Sequence, residues 1–301
     1  MAASVIGLIG GTGLGEVLLR EVKGKAVEVD TPFGRPSAPI VRAQWEGAEV
    51  AFLARHGPGH SIGPTAVPYR ANIYALKAVG VTHIVASGAT GSLREEFRPR
   101  DLVVPDQIID KTSRRPASFF DEPGIVVHVE FAQPFCPALR KLLLSAGEST
   151  AVTVHDGGTY VCVEGPSFST VAESRMHRSW GGDLVGMTCM PEARLAREAE
   201  MCYALIALPT DYDCWRPHDP SVDKGALLTE IIGNVEHATA NSVVLIRAAL
   251  RSMAGRELPP CECRKSLDLA IWTNRQHVRR ETVERFGVLL ARHFKDGPTH
   301  A

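Results

Sequence analysis

Ala204-Leu205-Ile206-Ala207-Leu208-Pro209-Thr210-Asp211-Tyr212-Asp213-Cys214-Trp215 decides how the rest of the chain is read. The apolar run before Pro209 predicts a buried strand. Two carboxylates follow it at i and i+2, so an extended chain turns both to one side. Ligands of α/β sheets bind at the open ends of strands, which makes this stretch the first candidate site. Two acids on one face suit a partner with two adjacent hydrogen-bonding nitrogens, one of which needs a proton. A turn is the competing reading, because Asp bonds readily to its own backbone. Spacing alone does not choose between them.

Bulk properties narrow the function classes. The 301 residues are enough for one large or two ordinary domains with a substantial core. Lys plus Arg is 33 and Asp plus Glu is 34, a net charge of −1, which gives no support for a nucleic-acid or anionic-membrane partner. No apolar run approaches the roughly 20 residues of a membrane span. Met1-Ala2-Ala3-Ser4-Val5-Ile6-Gly7 has no basic n-region and runs straight into strand-like sequence, so a signal peptide is not expected and a cytoplasmic location is. The seven cysteines, Cys136, Cys162, Cys189, Cys202, Cys214, Cys261 and Cys263, are odd in number and scattered, which fits a reducing compartment. Cys261-Glu262-Cys263 has no further ligands spaced for a metal, and ordinary thiols in a polar turn are the favoured reading. A redox pair, or a disulfide to another cysteine, is the alternative.

Outside the 204–215 stretch, polar groups recur just after predicted strands. Val5–Ile9 leads into Gly10-Gly11-Thr12-Gly13-Leu14-Gly15, where glycines allow close approach to an anion and Thr12 adds a hydroxyl. A dinucleotide fingerprint fails here: Glu16 stands where the third glycine belongs, and Asp30 is followed by a turn-rich Thr31–Pro36 stretch instead of a helix. Glu49–Ala54 ends at Arg55-His56-Gly57, which offers a planar fork and a ring donor to a phosphate. His56 and His60 are four apart, but Gly57, Pro58 and Gly59 forbid the helix that would make them joint metal ligands. A helix over 66–79 precedes strand 82–87 and the turn Gly88-Ala89-Thr90-Gly91-Ser92. Further strands are expected over 102–110, 152–163 and 183–188, and helices over 138–146, 171–179, 191–200, 222–253 and 275–294. A long irregular segment runs to about residue 130. Alternating strands and helices without a repeat or linker predict an α/β fold with helices on both faces of a central sheet.

Six motifs occur in order: Ile9-Gly10-Gly11-Thr12-Gly13, Leu53-Ala54-Arg55-His56-Gly57, Gly91-Ser92-Leu93-Arg94-Glu95-Glu96, Glu164-Gly165-Pro166-x-Phe168-Ser169, Gly186-Met187-Thr188 and Thr210-Asp211-Tyr212-Asp213-Cys214-Trp215. Together they resemble the methylthioadenosine phosphorylases of the trimeric purine nucleoside phosphorylase family, from about residue 5 to about 250. The resemblance implies a single domain with a mixed, partly barrel-like sheet. It covers 1–255, with 256–301 as a helical extension packed on the same domain. It also implies phosphorolysis of 5′-methylthioadenosine to adenine and 5-methylthioribose 1-phosphate, with phosphate as co-substrate, no cofactor, no metal, and a homotrimer or hexamer.

By the same resemblance Thr12, Arg55, His56, Gly88, Ala89 and Thr188 form the phosphate site. Met187 packs under the ribose, Phe168 lies against the base, and Ser169 lines its pocket. Asp211 and Asp213 hold the purine edge, Val222 lines the 5′ pocket, and His128 reaches a neighbouring subunit's 5′ pocket. Asp211 is the expected general acid at N7, helped to hold its proton by burial and by the neighbouring carboxylate. Asp213 accepts from a 6-amino group, so a 6-oxopurine would leave it facing an acceptor. Relatives that take 6-oxopurines carry Asn where Asp211 stands. Gly88 and Ser167 depart from the family pattern, which has a hydroxyl residue and an Arg there. Gly225 and Ala226 are smaller than expected and imply a roomier 5′ pocket. The alternatives are a broader purine nucleoside phosphorylase, a non-catalytic nucleoside-binding protein, and an NAD-dependent oxidoreductase.

Overall fold

The computed structural model describes residues 4–217, 223–256 and 258–294. The chain begins with β1 (Val5–Gly10), α1 (Leu14–Glu21), β2 (Lys25–Val27), β3 (Ile40–Trp45) and β4 (Ala48–Ala54). Next come α2 (Tyr69–Ala78), β5 (Val81–Ser92), β6 (Leu102–Val104), β7 (Gln107–Asp110), α3 (Pro137–Glu148), β8 (Val154–Asp156) and β9 (Thr159–Cys162). The last are α4 (Val171–Ser179), β10 (Leu184–Gly186), α5 (Cys189–Glu198), β11 (Cys202–Tyr212), α6 (Lys224–Met253) and α7 (Arg280–Phe286).

These strands form one mixed sheet of 11 strands that forks at β5. One branch continues from β5 through β10 and β9 to β7, and the other runs through β11 and β6 to β8. The runs 102–110 and 154–162 each serve both branches because each breaks in the middle. Pro105-Asp106 splits one, and Gly157-Gly158, at φ 85 and 117, splits the other. The sheet is therefore partly wrapped without closing. Apolar residues of β1, β4, β5 and β11 are buried on both faces, as continuous apolar strands require.

Two local readings are corrected. The expected helix over 275–294 is broken into a 3-10 turn at Arg275–His277, α7, and a second 3-10 turn at Gly287–Leu289. Arg279 is extended at the entry, and Gly287, at φ 47, ends the helix. The expected single strands over 102–110 and 152–163 are each two pieces, for the backbone reasons above. The topology agrees with the rejection of a dinucleotide fingerprint: β2 pairs antiparallel with β3 at the sheet's edge, separated from β1 by β3 and β4. The C-terminal segment contributes Leu267, Ala270, Val278, Phe286, Leu289 and Leu290 to the same apolar core as α2, β4 and β11. No helix among the described residues is long and apolar enough to cross a membrane.

Two buried titratable groups give the core opposite pH responses. Burial, aided by the charge of Arg264, pushes the His83 imidazole down to about 4 from 6.5. The unfolded chain then binds a proton that the folded chain refuses, so His83 costs stability as pH falls from 6.5 towards 4. Burial pushes Glu198 up to about 7 from 4.5, despite hydrogen bonds from Phe119 N and Ser118 Oγ. The folded state there holds the extra proton, so Glu198 costs stability as pH rises from 4.5 to 7. Melting curves of His83→Leu and Glu198→Gln across pH 4–8 test both signs. The first variant should lose part of the acid-side fall in Tm, and the second should lose part of the fall between pH 4.5 and 7.

Candidate active site

The ends of β1, β4, β5 and β11 meet in one place. β1 runs parallel to both β4 and β5, with Gly10 opposite Ala54 and Ile9 opposite Ala86. Arg55 N donates to Gly10 O at 3.1 Å, so the chain segments leaving β1 and β4 stay together. A Cβ placed on Gly11 would stand 2.6 Å from Ser87 O and 2.7 Å from Arg55 Nη1, a space only glycine fits. Thr12 is exposed in the turn that follows. Across from it, a Cβ on Gly88 would reach within 3.3 Å of Thr188 Oγ1, the residue that precedes α5. Ala89 is half-buried opposite Leu208 of β11. The fold thus gathers Arg55, Gly88, Ala89 and Thr188 around the glycine turn that carries Thr12.

Arg55 differs from the open fork expected of it. Its side chain is 0% exposed, and Nε and Nη2 each donate to the Glu192 carboxylate at 2.7 Å. Nη1 donates to Ser87 O at 2.7 Å, and Tyr203 Oη donates to Glu192 Oε1 at 2.8 Å. Burial opposes the guanidinium charge, but the Glu192 carboxylate overcomes this and raises Arg55 above its ordinary value. His56 is buried beside it. Desolvation, then the Arg55 charge, push its imidazole down to about 4. Its Nδ1 lies 2.8 Å from Ile62 O, which can only accept, so the neutral ring carries its proton on Nδ1. The His60 ring stacks on it at 4.2 Å.

Met187 is half-buried and fixed by its backbone. Arg115 Nη1 donates to Met187 O and Met190 O, both at 2.6 Å, while Nη2 donates to Glu164 O at 2.7 Å. Gly165, at φ 70, packs so closely that a Cβ would lie 2.6 Å from Met187 Sδ. Burial pushes the Glu164 carboxyl up, but hydrogen bonds from Thr65, the Ser113 and Arg114 amides and Arg115 outweigh it and hold it down to about 2.

Asp211 and Asp213 close the site on the β11 side. Asp211 pairs with Gly91 after a register shift that begins at Pro209, and Thr210 Oγ1 donates to its Oδ1 at 3.1 Å. Asp213 is buried, with its N–H donating to Ser92 O at 3.0 Å. Its Oδ2 has no hydrogen-bond partner among the described residues, and neither do the buried Ser174 Oγ and His177 Nδ1 of α4. Burial and Lys111, whose Nζ is 3.0 Å from Nε2, hold His177 below its usual value while Asp213 pulls it up. Cys214 Sγ donates to Ser169 O at 3.2 Å, which ties the base-side loop to the acid pair. Phe168, in that loop, is 87% exposed. His128 is exposed, with its ring edge-on to Trp272 at 5.5 Å, away from the contacts described above. Val222 lies outside the described residues.

Sequence reasoning missed Glu192, Arg115 and Glu164 as the groups that hold the site's residues in place. Glu192, an acid directly after Pro191 in the first turn of an expected helix, was a readable signal. Arg115 had none, since it lies in the long irregular segment.

Comparison with known proteins follows the same geometry. A family model described as the phosphorylase superfamily matches residues 5–251. The S-methyl-5′-thioadenosine phosphorylase of Gloeobacter violaceus is 45% identical over 295 residues, covering 96% of this chain and 95% of its own. A crystal structure of a methylthioadenosine phosphorylase from an antarctic soil metagenomic library superposes with a TM-score of 0.86 at 41% identity, over 96% of this chain and 100% of that one. A mutant adenosine/methylthioadenosine phosphorylase of Schistosoma mansoni, in complex with methylthioadenosine, gives a TM-score of 0.74 at 36% identity, over 85% and 93%.

Removing one partner of the buried pair should expose its weight. Glu192→Ala strands the Arg55 charge in the core and should cost about 3–5 kcal/mol of stability in urea unfolding. A loss below about 1 kcal/mol would mean that water or another acid already compensates Arg55.

Proposed function

We propose a function from one premise: this chain belongs to the phosphorylase superfamily. It catalyses phosphorolysis of 5′-methylthioadenosine to adenine and 5-methylthioribose 1-phosphate. The observation that carries this reading is the Asp211/Asp213 pair at the end of β11, beside the glycine turn of β1.

Cleavage of the glycosidic bond passes through an oxocarbenium-like ribose, which a phosphate dianion beneath C1′ stabilises. In our reading Thr12, His56, Gly88, Ala89 and Thr188 bind that dianion. Arg55, already paired, contributes the residual Nη protons and a fixed positive field, and it orients the Ser87 carbonyl. His56 with its proton on Nδ1 leaves Nε2 as an acceptor, suited to a protonated phosphate oxygen. Met187 supports the ribose from the end of β10. Phe168 covers the base, and Ser169 lines its pocket.

Asp211 delivers a proton to N7 as the adenine leaves, and Asp213 accepts from the 6-amino group. The unpartnered Asp213 Oδ2 supports this assignment, because a buried carboxylate oxygen without a donor is one that a ligand amino group can satisfy. Val222 lines the 5′ end, where His128 of the partner subunit joins it. Exposed Val126, Leu269 and Trp272 around His128 form an apolar surface that supports a trimer. Residues 1–255 carry the chemistry and 256–301 the extension, in the cytoplasm and without a cofactor for the reaction.

A second reading has its own support. Asp223 caps α6 through the amides of Gly225 and Ala226, and in this reading these two small residues form a roomy wall at the 5′ position. Adenosine then fits as a further substrate, the pair named for the Schistosoma enzyme.

Base release from methylthioadenosine, adenosine, inosine and methylthioinosine, with and without phosphate, tests the proposal. Adenine should appear only with phosphate, and the 6-oxo substrates should react poorly. Asp211→Ala should lower kcat by roughly 10²–10⁴-fold on methylthioadenosine. Asp213→Asn, which can donate to O6, should shift the kcat/KM ratio towards the 6-oxo nucleosides. Phosphate-independent release, or an Asp211→Ala variant with full kcat, would sink the assignment.

A further inference from the structure

Four cysteines scattered over the sequence meet at one point of the fold. Cys136 caps α3 and its sulfur accepts from Leu139 N, while Cys202 opens β11. Cys261 and Cys263 flank Glu262 at the 3-10 turn Glu262–Lys265 in the C-terminal segment. The four sulfur atoms all lie within 4.8 Å of one another, and Cys136 Sγ is 3.4 Å from Cys261 Sγ. Cys136, Cys202 and Cys263 are buried and Cys261 is half-buried.

A zinc ion bound by four thiolates at about 2.3 Å holds its sulfurs about 3.8 Å apart, so the cluster already has the dimensions of such a cage. The donor set is purely sulfur, which suits a borderline-soft cation and not magnesium or calcium. The surroundings favour thiolates. Two helical turns begin at Cys136 and Cys261, and Arg197 acts on Cys263.

We infer that Cys136, Cys202, Cys261 and Cys263 form a structural zinc site that fastens the C-terminal segment to α3 and to the start of β11. With four protein ligands no coordination position stays open, so the ion supports the fold and not the reaction. Binding releases the thiol protons to solvent. The tetrathiolate carries two net negative charges, which Arg197 offsets in part. β11 separates this end from Asp211 by nine residues, about 30 Å of extended chain. Cys261-Glu262-Cys263 alone offers too few ligands for a metal, because Cys136 and Cys202 are far away in the sequence. The fold supplies those partners.

The test is metal content of the full chain purified with reductant present. Elemental analysis should give about one zinc per chain. Replacement by Co²⁺ should give the thiolate charge-transfer absorption and visible bands of a tetrahedral sulfur site. The double variant Cys261→Ser/Cys263→Ser should lose the zinc and melt roughly 5–10 °C lower, with kcat on methylthioadenosine unchanged below its melting range. If that variant does not fold, the metal content and Co²⁺ spectrum of the unaltered chain still decide. Seven free thiols and no zinc after reconstitution would overturn the inference. So would peptide mapping of unreduced protein that found these four cysteines paired as disulfides. Neither result would bear on the phosphorylase reading.

Discussion

The buried pair of Arg55 and Glu192 is the contact on which the site's architecture depends. Arg55 leaves β4, Glu192 belongs to α5, Ser87 to β5 and Tyr203 to β11, and hydrogen bonds of 2.7–2.8 Å join all four. A guanidinium with no solvent exposure is tolerated only because its donors are met, bidentately by one carboxylate and singly by a carbonyl. That satisfaction fixes the spacing between β4, β5, β11 and α5. Arg115 repeats the device one layer away, where a single guanidinium holds the carbonyls of Met187, Met190 and Glu164. In both places a charge buried at high cost sets backbone positions that an anion or a ribose can then use.

Glycines decide where those backbones come close. Gly11 lets the turn after β1 lie against Ser87, Gly91 leaves room for Asp213, and Gly165 lets its turn press onto Met187. The parallel pairing of β5 with β11 then fixes which residues face each other, since Gly88, Ala89 and Gly91 are placed opposite Ala207, Leu208 and Asp211. The residues proposed for the phosphate and for the base are thus two halves of one strand register. A shift of one residue would move Asp211 and Asp213 to the wrong face.

Much of this was legible in the sequence because it follows from local rules. Apolar runs gave β1, β4, β5 and β11, and the rule that ligands gather at strand ends marked Thr12, Arg55, Gly88 and Asp211 together. What could not be read depends on contacts between distant segments. Arg55 was expected to present an open fork, and nothing in its neighbours shows that Glu192 will occupy it. The strands over 102–110 and 152–163 look continuous, and only the forked sheet shows why each must break. Cys136 and Cys202 carry no spacing signal towards Cys261. The missed α7 boundaries have a local cause, a positive φ at Gly287 inside a periodic stretch.

The site also divides by burial in a way that bears on how it is used. Arg55, His56, Thr188 and Asp213 are buried, so the anion and base-edge positions are rigid before any ligand arrives. Phe168, Thr12 and His128 are exposed, and Trp272 beside His128 is 72% exposed. Large apolar side chains are rarely left so open unless something covers them. In the proposed trimer a purine covers Phe168 and a neighbouring subunit covers the His128–Trp272 surface. In that reading the buried half supplies geometry that must not move during bond cleavage, and substrate and partner complete the exposed half. Water is excluded from the ribose at that moment, when a nucleophile other than phosphate would waste the glycosidic bond.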